Sequence, residues 1–299
     1  MTRVAVGASS FASVNNEALD LLLGNEIEVI KNPYGRKLSE SETIEHLRDA
    51  DGLLAGLEPL TEHVFSSSPQ LKAIARIGIG MDNVDIPSAE RRGIKVSNTP
   101  DGPTEAVAEM TLAALLAITR RLIPSNNDVH KGLWNKHMGK SIRELCVFIV
   151  GYGRTGRRVG ELLTMFGAEI MTYDKFNATA CNCSFEEGLR KADVITFHAS
   201  GTDTIIMSKE MGMMKNGVIL LNSARGSLID EDELYKALKS GKVSWFWGDA
   251  FWKEPYTGKI RGLSNALLTP HACTYTTMCR EEMEMQAVKN LLRDLGYVV

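Results

Sequence analysis

Short apolar runs rich in β-branched residues alternate with segments of helical periodicity along most of the chain. In the first third, strands are predicted at 4–6, 27–30, 53–55, 74–77 and 94–96, and helices at 17–23 and 43–48. This alternation is typical of βαβ units, which build parallel sheets. The pattern therefore predicts an α/β fold whose first domain contains one open sheet.

Turn-forming residues interrupt the alternation at 98–103, and an apolar-rich helix is predicted from 104 to about 121. Further strands are predicted at 146–150, 169–173, 194–197, 218–221, 243–247 and 266–268, which gives a second sheet of six strands. Helical spacing from 278 to 292 predicts a final helix that could cross back onto the first domain. We therefore place one domain at 1–98 plus 273–299 and the other at 99–272.

Composition and charge narrow the classes of function. A net charge of −3, with no Lys/Arg-rich run interleaved with aromatics, argues against nucleic acid as a partner. The sequence has no stretch of about 18 apolar residues and no basic start followed by an apolar leader, so we expect a cytoplasmic protein without a membrane span. The five cysteines are irregularly spaced and lack zinc-type spacing, so we expect neither disulfides nor a metal site.

A glycine-rich turn follows the predicted strand at 146–150. Residues 151–156 read G-Y-G-R-T-G, the G-x-G-x-x-G pattern, and apolar residues at helical spacing come next. In such a turn Gly151 permits the tight bend, Gly153 lets the backbone approach a pyrophosphate, and Gly156 lets the helix pack close to the strand. Strand, glycines and helix in this order predict a dinucleotide-binding site.

Asp174 ends the next predicted strand, 21 residues after Gly153. A carboxylate about 20 residues past the motif accepts hydrogen bonds from the adenosine ribose hydroxyls and would repel a 2′-phosphate. Lys175 beside it could soften the choice between NAD and NADP, although a lysine is more often a solvated surface residue. NAD is therefore the predicted coenzyme.

Three loops that follow predicted strands carry groups suited to hydride transfer at a 2-keto acid. That reaction needs a cation for the substrate carboxylate and a proton donor for the developing alkoxide. Arg225 follows the strand at 218–221, and its planar fork matches a carboxylate. Glu254 and His271 follow the next two strands. Singly, each has an ordinary structural explanation, such as a surface ion pair, but the three in order favour a catalytic site.

The ordered motifs resemble those of the D-isomer-specific 2-hydroxyacid dehydrogenase family, which includes phosphoglycerate, glycerate and D-lactate dehydrogenases. The matching segments lie at 75–85, 98–100, 151–156, 214–217, 222–230, 253–255 and 269–271 and extend over nearly the whole chain. The resemblance implies two open parallel-sheet domains: a flavodoxin-like substrate domain made from both chain ends, and a central Rossmann coenzyme domain. In the family the coenzyme domain commonly forms the dimer interface, so a homodimer is expected.

The implied activity is hydride transfer between NAD(H) and C2 of a small 2-hydroxy acid, such as phosphoglycerate or glycerate. By matching position, Arg225, Glu254 and His271 would be catalytic: Arg225 grips the substrate carboxylate, His271 exchanges the hydroxyl proton and Glu254 stabilises the imidazolium. The expected coenzyme contacts are Gly151, Gly153, Arg154, Thr155, Gly156, Asp174, Ala199, Ser223, Ala224 and Asp249. The expected substrate contacts are Arg76, Gly78, Ile79, Gly80 and Arg225.

Two departures from the family leave the substrate open. The run at 245–252 is rich in Trp and Phe, which could line a specificity pocket but at alternating strand positions favour core packing. No basic residue stands at 54–57, near where phosphoglycerate enzymes often carry one. Arg76 could still meet a phosphate or a second carboxylate.

Two other functions fit part of the same pattern. An NAD(H)-binding regulatory protein, like the family's transcriptional corepressors, would keep this fold and these residues without significant turnover. The lack of extended disordered tails argues against that function. A dehydrogenase acting on formate or phosphite would use the same Arg and His but needs a much smaller pocket.

Overall fold

The computed structural model describes residues 1–298 and divides into two compact units. Unit 1 comprises Met1–Pro103 and the chain from Tyr275 onward, and unit 2 comprises Thr104–Thr274. The division falls a few residues beyond the predicted positions 98 and 272, because residues 99–103 associate with unit 1. Thr99 and Gly78 hydrogen-bond in both directions, and a Cβ built on Gly102 would lie 3.1 Å from Met283.

The elements follow the predicted alternation of strand and helix. The β-strands within residues 1–298 are β1 (Arg3–Val6), β2 (Glu28–Ile30), β3 (Gly52–Ala55), β4 (Ala73–Arg76), β5 (Lys95–Asn98), β6 (Cys146–Val150), β7 (Glu169–Tyr173), β8 (Val194–Phe197), β9 (Val218–Asn222), β10 (Val243–Gly248) and β11 (Ala266–Leu268). The α-helices are α1 (Glu17–Gly24), α2 (Glu40–His46), α3 (Glu62–Ser66), α4 (Ile86–Arg91), α5 (Pro103–Thr119), α6 (Leu122–His130), α7 (Arg154–Met165), α8 (Phe185–Lys191), α9 (Ser208–Met213), α10 (Glu231–Ser240) and α11 (Thr277–Asp294).

Unit 1 contains a parallel sheet with the strand order β2-β1-β3-β4-β5. This is the flavodoxin-like order. Helix α11 packs against β3, β4 and β5, and Phe65 of α3 and Ala89 of α4 join Leu53 and Ile74 in a buried cluster. Because all five strands run in parallel, their carboxyl ends meet at one edge of the sheet.

Unit 2 contains a parallel sheet with the order β11-β10-β9-β8-β6-β7. Strand β6 has β7 on one side and β8 on the other, so the direction of winding reverses between β6 and β8. A reversal of this kind is where open α/β sheets bind ligands, outside the carboxyl ends of the strands. The predicted α/β fold with two parallel sheets, the second of six strands, is confirmed.

Apolar side chains alternate between the two faces of the unit 2 sheet, which is buried on both sides. Phe148 and Phe246 belong to one buried cluster, whereas Ile149, Trp245 and Trp247 belong to the other. Strands covered on both faces are expected to be apolar at every position. The aromatic residues of β10 therefore pack in the core, as the favoured interpretation of that run predicted.

Two helices differ from the sequence prediction for local reasons. Helix α2 begins at Glu40 rather than at 43, because Ser39 and Glu42 form a reciprocal capping box. Helix α6 was not expected from the pattern, since none of its residues is buried and its sequence lacks an apolar face. None of the helices in residues 1–298 is long and apolar enough to cross a membrane.

Candidate active site

The turn after β6 requires glycine at two positions. Gly151 has a φ of +91°, and a Cβ built on it would lie 2.4 Å from the Ala199 nitrogen. A Cβ on Gly156 would lie 2.0 Å from the Gly151 carbonyl oxygen. The turn therefore brings α7 and the loop after β8 into direct backbone contact at the point where the winding of the sheet reverses.

The N-terminus of α7 is the candidate phosphate site. Gly153 precedes the helix without a side-chain cap, and a Cβ built on it would meet open space within 4 Å. Arg154 and Thr155 begin the 12-residue helix, so their backbone N–H groups and the helix dipole face this space. An anion such as a pyrophosphate suits that position.

Asp174, which follows β7, is oriented by backbone donors. Its Oδ2 accepts the Tyr152 N–H at 2.8 Å, and its Oδ1 accepts the N–H groups of Phe176 and Asn177 at 2.9 and 3.1 Å. Each carboxylate oxygen can accept a further hydrogen bond from a ribose hydroxyl. Because Tyr152 belongs to the glycine turn, this bond sets the position of the carboxylate relative to the phosphate site.

Ser223, which follows β9, carries a buried hydroxyl that no group in residues 1–298 hydrogen-bonds. A buried polar group left without a partner costs roughly 1–3 kcal/mol. A ligand that supplied a partner would remove that cost, so the hydroxyl suits a coenzyme contact. The open space at Gly153, the oriented Asp174 carboxylate and the Ser223 hydroxyl therefore fit a dinucleotide. The individual contacts, including those of Ala199 and Ala224, stay predictions.

Asn222 shapes the loop that carries Arg225. The buried Asn222 amide donates to the Arg225 carbonyl at 2.8 Å and accepts the Ala224 N–H at 3.0 Å. A Cβ on Gly226 would lie 2.3 Å from the Trp252 nitrogen. Because only glycine allows this approach, the Arg225 loop packs directly against the loop that carries Glu254.

His271 and Glu254, predicted from separate motifs, meet in the structure. Nδ1 of His271 lies 3.0 Å from both carboxylate oxygens of Glu254, and the Phe251 N–H donates to Oε1 at 3.0 Å. The two side chains remain 39% and 33% exposed, so a solute can reach them. With Nδ1 directed at the carboxylate, Nε2 is the ring nitrogen able to exchange a proton with a substrate.

Asp249 holds the loop that carries His271. Its buried carboxylate accepts the Thr269 hydroxyl at 2.6 Å and the N–H groups of Ala272 and Cys273 at 2.9 and 3.0 Å. Trp247 Nε1 donates to the same Thr269 oxygen at 3.1 Å. These hydrogen bonds give Asp249 a structural role, holding the His271 loop, in addition to the expected coenzyme contact. Thr269 stands in the 269–271 motif and Trp247 in the aromatic run at 245–252, but the sequence analysis assigned neither residue a role in holding Asp249.

The expected substrate contacts of unit 1 lie at the end of β4. Gly78 has a φ of +135°, and its N–H donates to Thr99 Oγ1 at 2.7 Å. The Arg76 guanidinium covers Gly78, since a Cβ there would lie 1.4 Å from Nη1. With the Gly78 N–H occupied by Thr99, the remaining candidate backbone donors of this segment are those of Ile79, which is 42% exposed, and Gly80.

The groups of unit 2 can bind a dinucleotide and exchange a proton with a substrate oxygen, which defines the chain as an NAD-dependent dehydrogenase. The family model described as "D-isomer specific 2-hydroxyacid dehydrogenase, NAD binding domain" matches residues 112–273. The chain therefore belongs to the D-isomer-specific 2-hydroxyacid dehydrogenase family. The predicted family, oxidoreductase class and coenzyme NAD are confirmed.

The chain aligns with curated relatives and with a solved structure over nearly its full length. The glyoxylate reductase of Thermococcus litoralis is 32% identical over 288 residues, with 89% of this chain and 86% of that protein covered. The hydroxypyruvate reductase of Thermotoga maritima is 30% identical over 297 residues, with 95% and 96% covered. The crystal structure of the TT0316 protein from Thermus thermophilus has a TM-score of 0.89 at 32% identity, with 98% and 97% covered.

Proposed function

We propose that the chain reduces a small 2-keto acid, such as glyoxylate or hydroxypyruvate, to the 2-hydroxy acid with NADH. The observation that carries the proposal is the contact of His271 Nδ1 with both oxygens of Glu254 at 3.0 Å. The names of the two curated relatives support the choice of substrate, since one is called a glyoxylate reductase and the other a hydroxypyruvate reductase.

Arg225 binds the substrate carboxylate through its guanidinium fork and polarises the 2-oxygen. The Asn222 contacts hold the backbone of its loop, which limits the reorganisation needed when the substrate arrives. When bound, NADH supplies a hydride to C2. The groups expected to hold it are the turn of Gly151, Gly153 and Gly156, together with Asp174 and Ser223.

His271 is the general acid of the reduction. Its Nε2–H donates the proton that the 2-oxygen needs as negative charge develops there. Glu254 accepts the Nδ1–H and stabilises the imidazolium, while the Asp249 contacts keep the loop in place. The balance is one 2-keto acid, one NADH and one proton converted to one 2-hydroxy acid and NAD, with two electrons moved to C2.

The proposal is tested by following NADH absorbance with purified chain and a graded set of acceptors: glyoxylate, hydroxypyruvate, pyruvate and 3-phosphohydroxypyruvate. Turnover of glyoxylate or hydroxypyruvate is expected. NADH binding without turnover of any acceptor would refute the proposal and favour a regulatory NAD-binding protein. Oxidation of formate or phosphite with NAD, in the absence of 2-keto acid reduction, would refute it in favour of that other chemistry.

We further propose that the chain forms a homodimer through unit 2. Apolar side chains are exposed along residues 122–138, and Trp134 and Met138 are 84% and 91% exposed. Exposed apolar groups gathered in one segment mark a surface that another protein covers. Light scattering coupled to size-exclusion chromatography should give twice the chain mass, and Trp134→Glu should lower it. A monomer at all concentrations would contradict the proposal.

A further inference from the structure

Strand β10 carries a tryptophan whose ring is buried but whose indole N–H has a polar partner. Trp247 is 0% exposed and packs in the cluster that contains Trp245 and Ile149. Its Nε1 donates to Thr269 Oγ1 at 3.1 Å. The contact follows from the register of the sheet, because Trp247 pairs with Leu267 of β11 and Thr269 comes two residues later, just beyond that strand. The indole therefore joins the buried face of the sheet to the loop that follows β11.

The indole also determines where Thr269 directs its hydroxyl proton. A hydroxyl has one proton to donate, and its oxygen can accept hydrogen bonds as well. Because Trp247 occupies an acceptor position of Thr269 Oγ1, the hydroxyl proton is directed to Oδ1 of Asp249, which lies 2.6 Å away. Linked hydrogen bonds strengthen one another in a buried site, and Asp249 is 1% exposed. The three side chains therefore form one buried hydrogen-bonded triplet.

Asp249 in turn holds the backbone of the following loop in an uncommon conformation. His271 has a φ of +52°, in the left-handed region that a residue with a Cβ seldom adopts and that persists only where the surrounding structure holds it. The His271 N–H lies 2.9 Å from the carbonyl oxygens of both Asp249 and Thr269. The Asp249 carboxylate accepts the next two N–H groups, those of Ala272 and Cys273. The triplet therefore stabilises the strained residue.

The backbone conformation at His271 sets the direction of its side chain. A change of φ turns the Cα–Cβ bond relative to the rest of the loop, and at the observed φ the ring places Nδ1 3.0 Å from both Glu254 oxygens. A reacting group displaced by about 1 Å can lose roughly 10²-fold in rate. Loosening of the Asp249 contacts should therefore lower the rate of proton transfer from Nε2 of His271.

We propose that Trp247 is a positioning residue for proton transfer, which acts through Thr269 and Asp249 to hold His271 in its left-handed conformation. The inference rests on the proposed function, in which His271 is the general acid. Because Trp247 is fully buried, it influences the reaction only through the residues that it contacts. Two tryptophans of β10 lie in the same buried cluster, and Trp247 rather than Trp245 donates to the Thr269 hydroxyl.

The test measures the rate of a single turnover, in which the NADH complex is mixed with excess hydroxypyruvate and NADH absorbance is followed. Trp247→Phe keeps an apolar ring but removes the indole N–H. The rate should fall roughly tenfold, while the dissociation constant of NADH changes by less than about twofold. Trp245→Phe is the matched control, because it makes the same replacement in the same cluster, and it should leave both values unchanged.

Variants of Thr269 test whether the indole acts through the hydroxyl. Thr269→Val removes the hydroxyl and should lower the rate roughly 10²-fold, whereas Thr269→Ser, which keeps the hydroxyl, should recover most of that loss. Trp247→Phe combined with Thr269→Val should be no slower than Thr269→Val alone, because the two residues act in series. If Trp247→Phe does not fold, 3-benzothienylalanine at position 247 takes its place, since it exchanges the indole N–H for sulfur in a ring of the same shape.

Four results would overturn the inference: equal rates in Trp247→Phe and Trp245→Phe, losses that multiply in the double variant, no recovery in Thr269→Ser, or a loss in Trp247→Phe confined to NADH affinity. If the unsubstituted chain reduces no acceptor, the proposed function fails, and hydrogen exchange of the Ala272 and Cys273 N–H groups still decides the inference. Faster exchange in Trp247→Phe than in Trp245→Phe would then support it, and equal exchange would overturn it.

Discussion

Units 1 and 2 are both parallel sheets with polar groups at their carboxyl edges, yet the proposed proton-transfer pair of unit 2 is partly exposed whereas the acid Glu58 of unit 1 is buried. In unit 2 the side chains of His271 and Glu254 are 39% and 33% exposed. The Phe251 N–H donates to the Glu254 carboxylate, and Asp249 accepts the Ala272 N–H in the loop that carries His271. In unit 1 the acid Glu58 is fully buried, and the surface at the end of β4 presents backbone and the exposed side chain of Ile79.

The difference shows that topology alone does not decide what a sheet edge can do. A group that transfers a proton must be reached by substrate, so unit 2 exposes it and places its orienting partners in the interior. Glu58 transfers no proton in the proposed mechanism, so no substrate has to reach it and unit 1 can bury it.

The largest effect is expected from Arg225. Arg225→Met removes the cation proposed for the substrate carboxylate, and we expect kcat/KM for hydroxypyruvate to fall by roughly 10³-fold or more. Steady-state assays measure the loss, and fluorescence titration of NADH should show unchanged coenzyme affinity. Arg261→Met, at an exposed arginine of the same unit, should be nearly neutral. Comparable losses of kcat/KM in both variants would show that Arg225 does not bind the substrate carboxylate.

Gly156→Ala should weaken NADH binding by about 10²-fold, because its Cβ would meet the Gly151 carbonyl at 2.0 Å and force α7 away from the turn. Titration of NADH fluorescence measures the change. Gly212→Ala in α9 is the matched control, since nothing lies within 4 Å of a Cβ there. Retention of normal NADH affinity by Gly156→Ala would contradict the assignment of this turn to the coenzyme.

Asp174→Asn tests the preference for NAD over NADP at the carboxyl edge of the unit 2 sheet. The substitution keeps one acceptor oxygen but removes the charge that would repel a 2′-phosphate, so the affinity ratio of NADPH to NADH should rise roughly tenfold. Competition of the two coenzymes in the steady state gives the ratio. Glu186→Gln, on the exposed first turn of α8, should leave it unchanged. An unaltered ratio of NADPH to NADH affinity in Asp174→Asn would show that this carboxylate does not contact the adenosine ribose.

The smallest effect concerns the stability of unit 1. Burial raises the pKa of Glu58, so its contribution to stability is complete below the unfolded-state pKa and is lost as pH rises through the folded-state value. Glu58→Gln does not titrate. The unfolding midpoint of this variant should therefore rise relative to the unsubstituted chain by about 1 to 3 °C between pH 5 and pH 9. Parallel midpoints across that range would show that burial imposes no cost on this carboxylate.

Strands of the unit 2 sheet are among the elements that the sequence predicted best. The predicted strands 146–150 and 194–197 coincide with the buried β6 and β8, and 169–173 and 266–268 coincide with the partly buried edge strands β7 and β11, because a short apolar run has clear limits. Helix α6, which buries none of its residues, leaves no such signal. Hydrophobic periodicity arises from burial, so a helix that buries none of its residues is not predicted from it.

Polar residues at the sheet edges also differ in how well the sequence predicts them. Arg225, Glu254 and His271 stand in local motifs, and the structure brings Glu254 and His271 into contact; their catalytic roles stay predictions. Glu58 could not be found from its own segment, where a single acid after an apolar run resembles a solvated loop residue. Its burial depends on glycines at positions 7 and 56, which only the fold brings together.

The most direct test of the central claim is the pH profile of kcat/KM for hydroxypyruvate reduction, measured for the unsubstituted enzyme and for Glu254→Gln. If His271 is the acid and Glu254 stabilises its protonated form, activity falls as pH rises because the acid must carry its proton, and the fall occurs at lower pH in the variant. A midpoint that stays in place, with activity retained, would contradict the paired roles of His271 and Glu254.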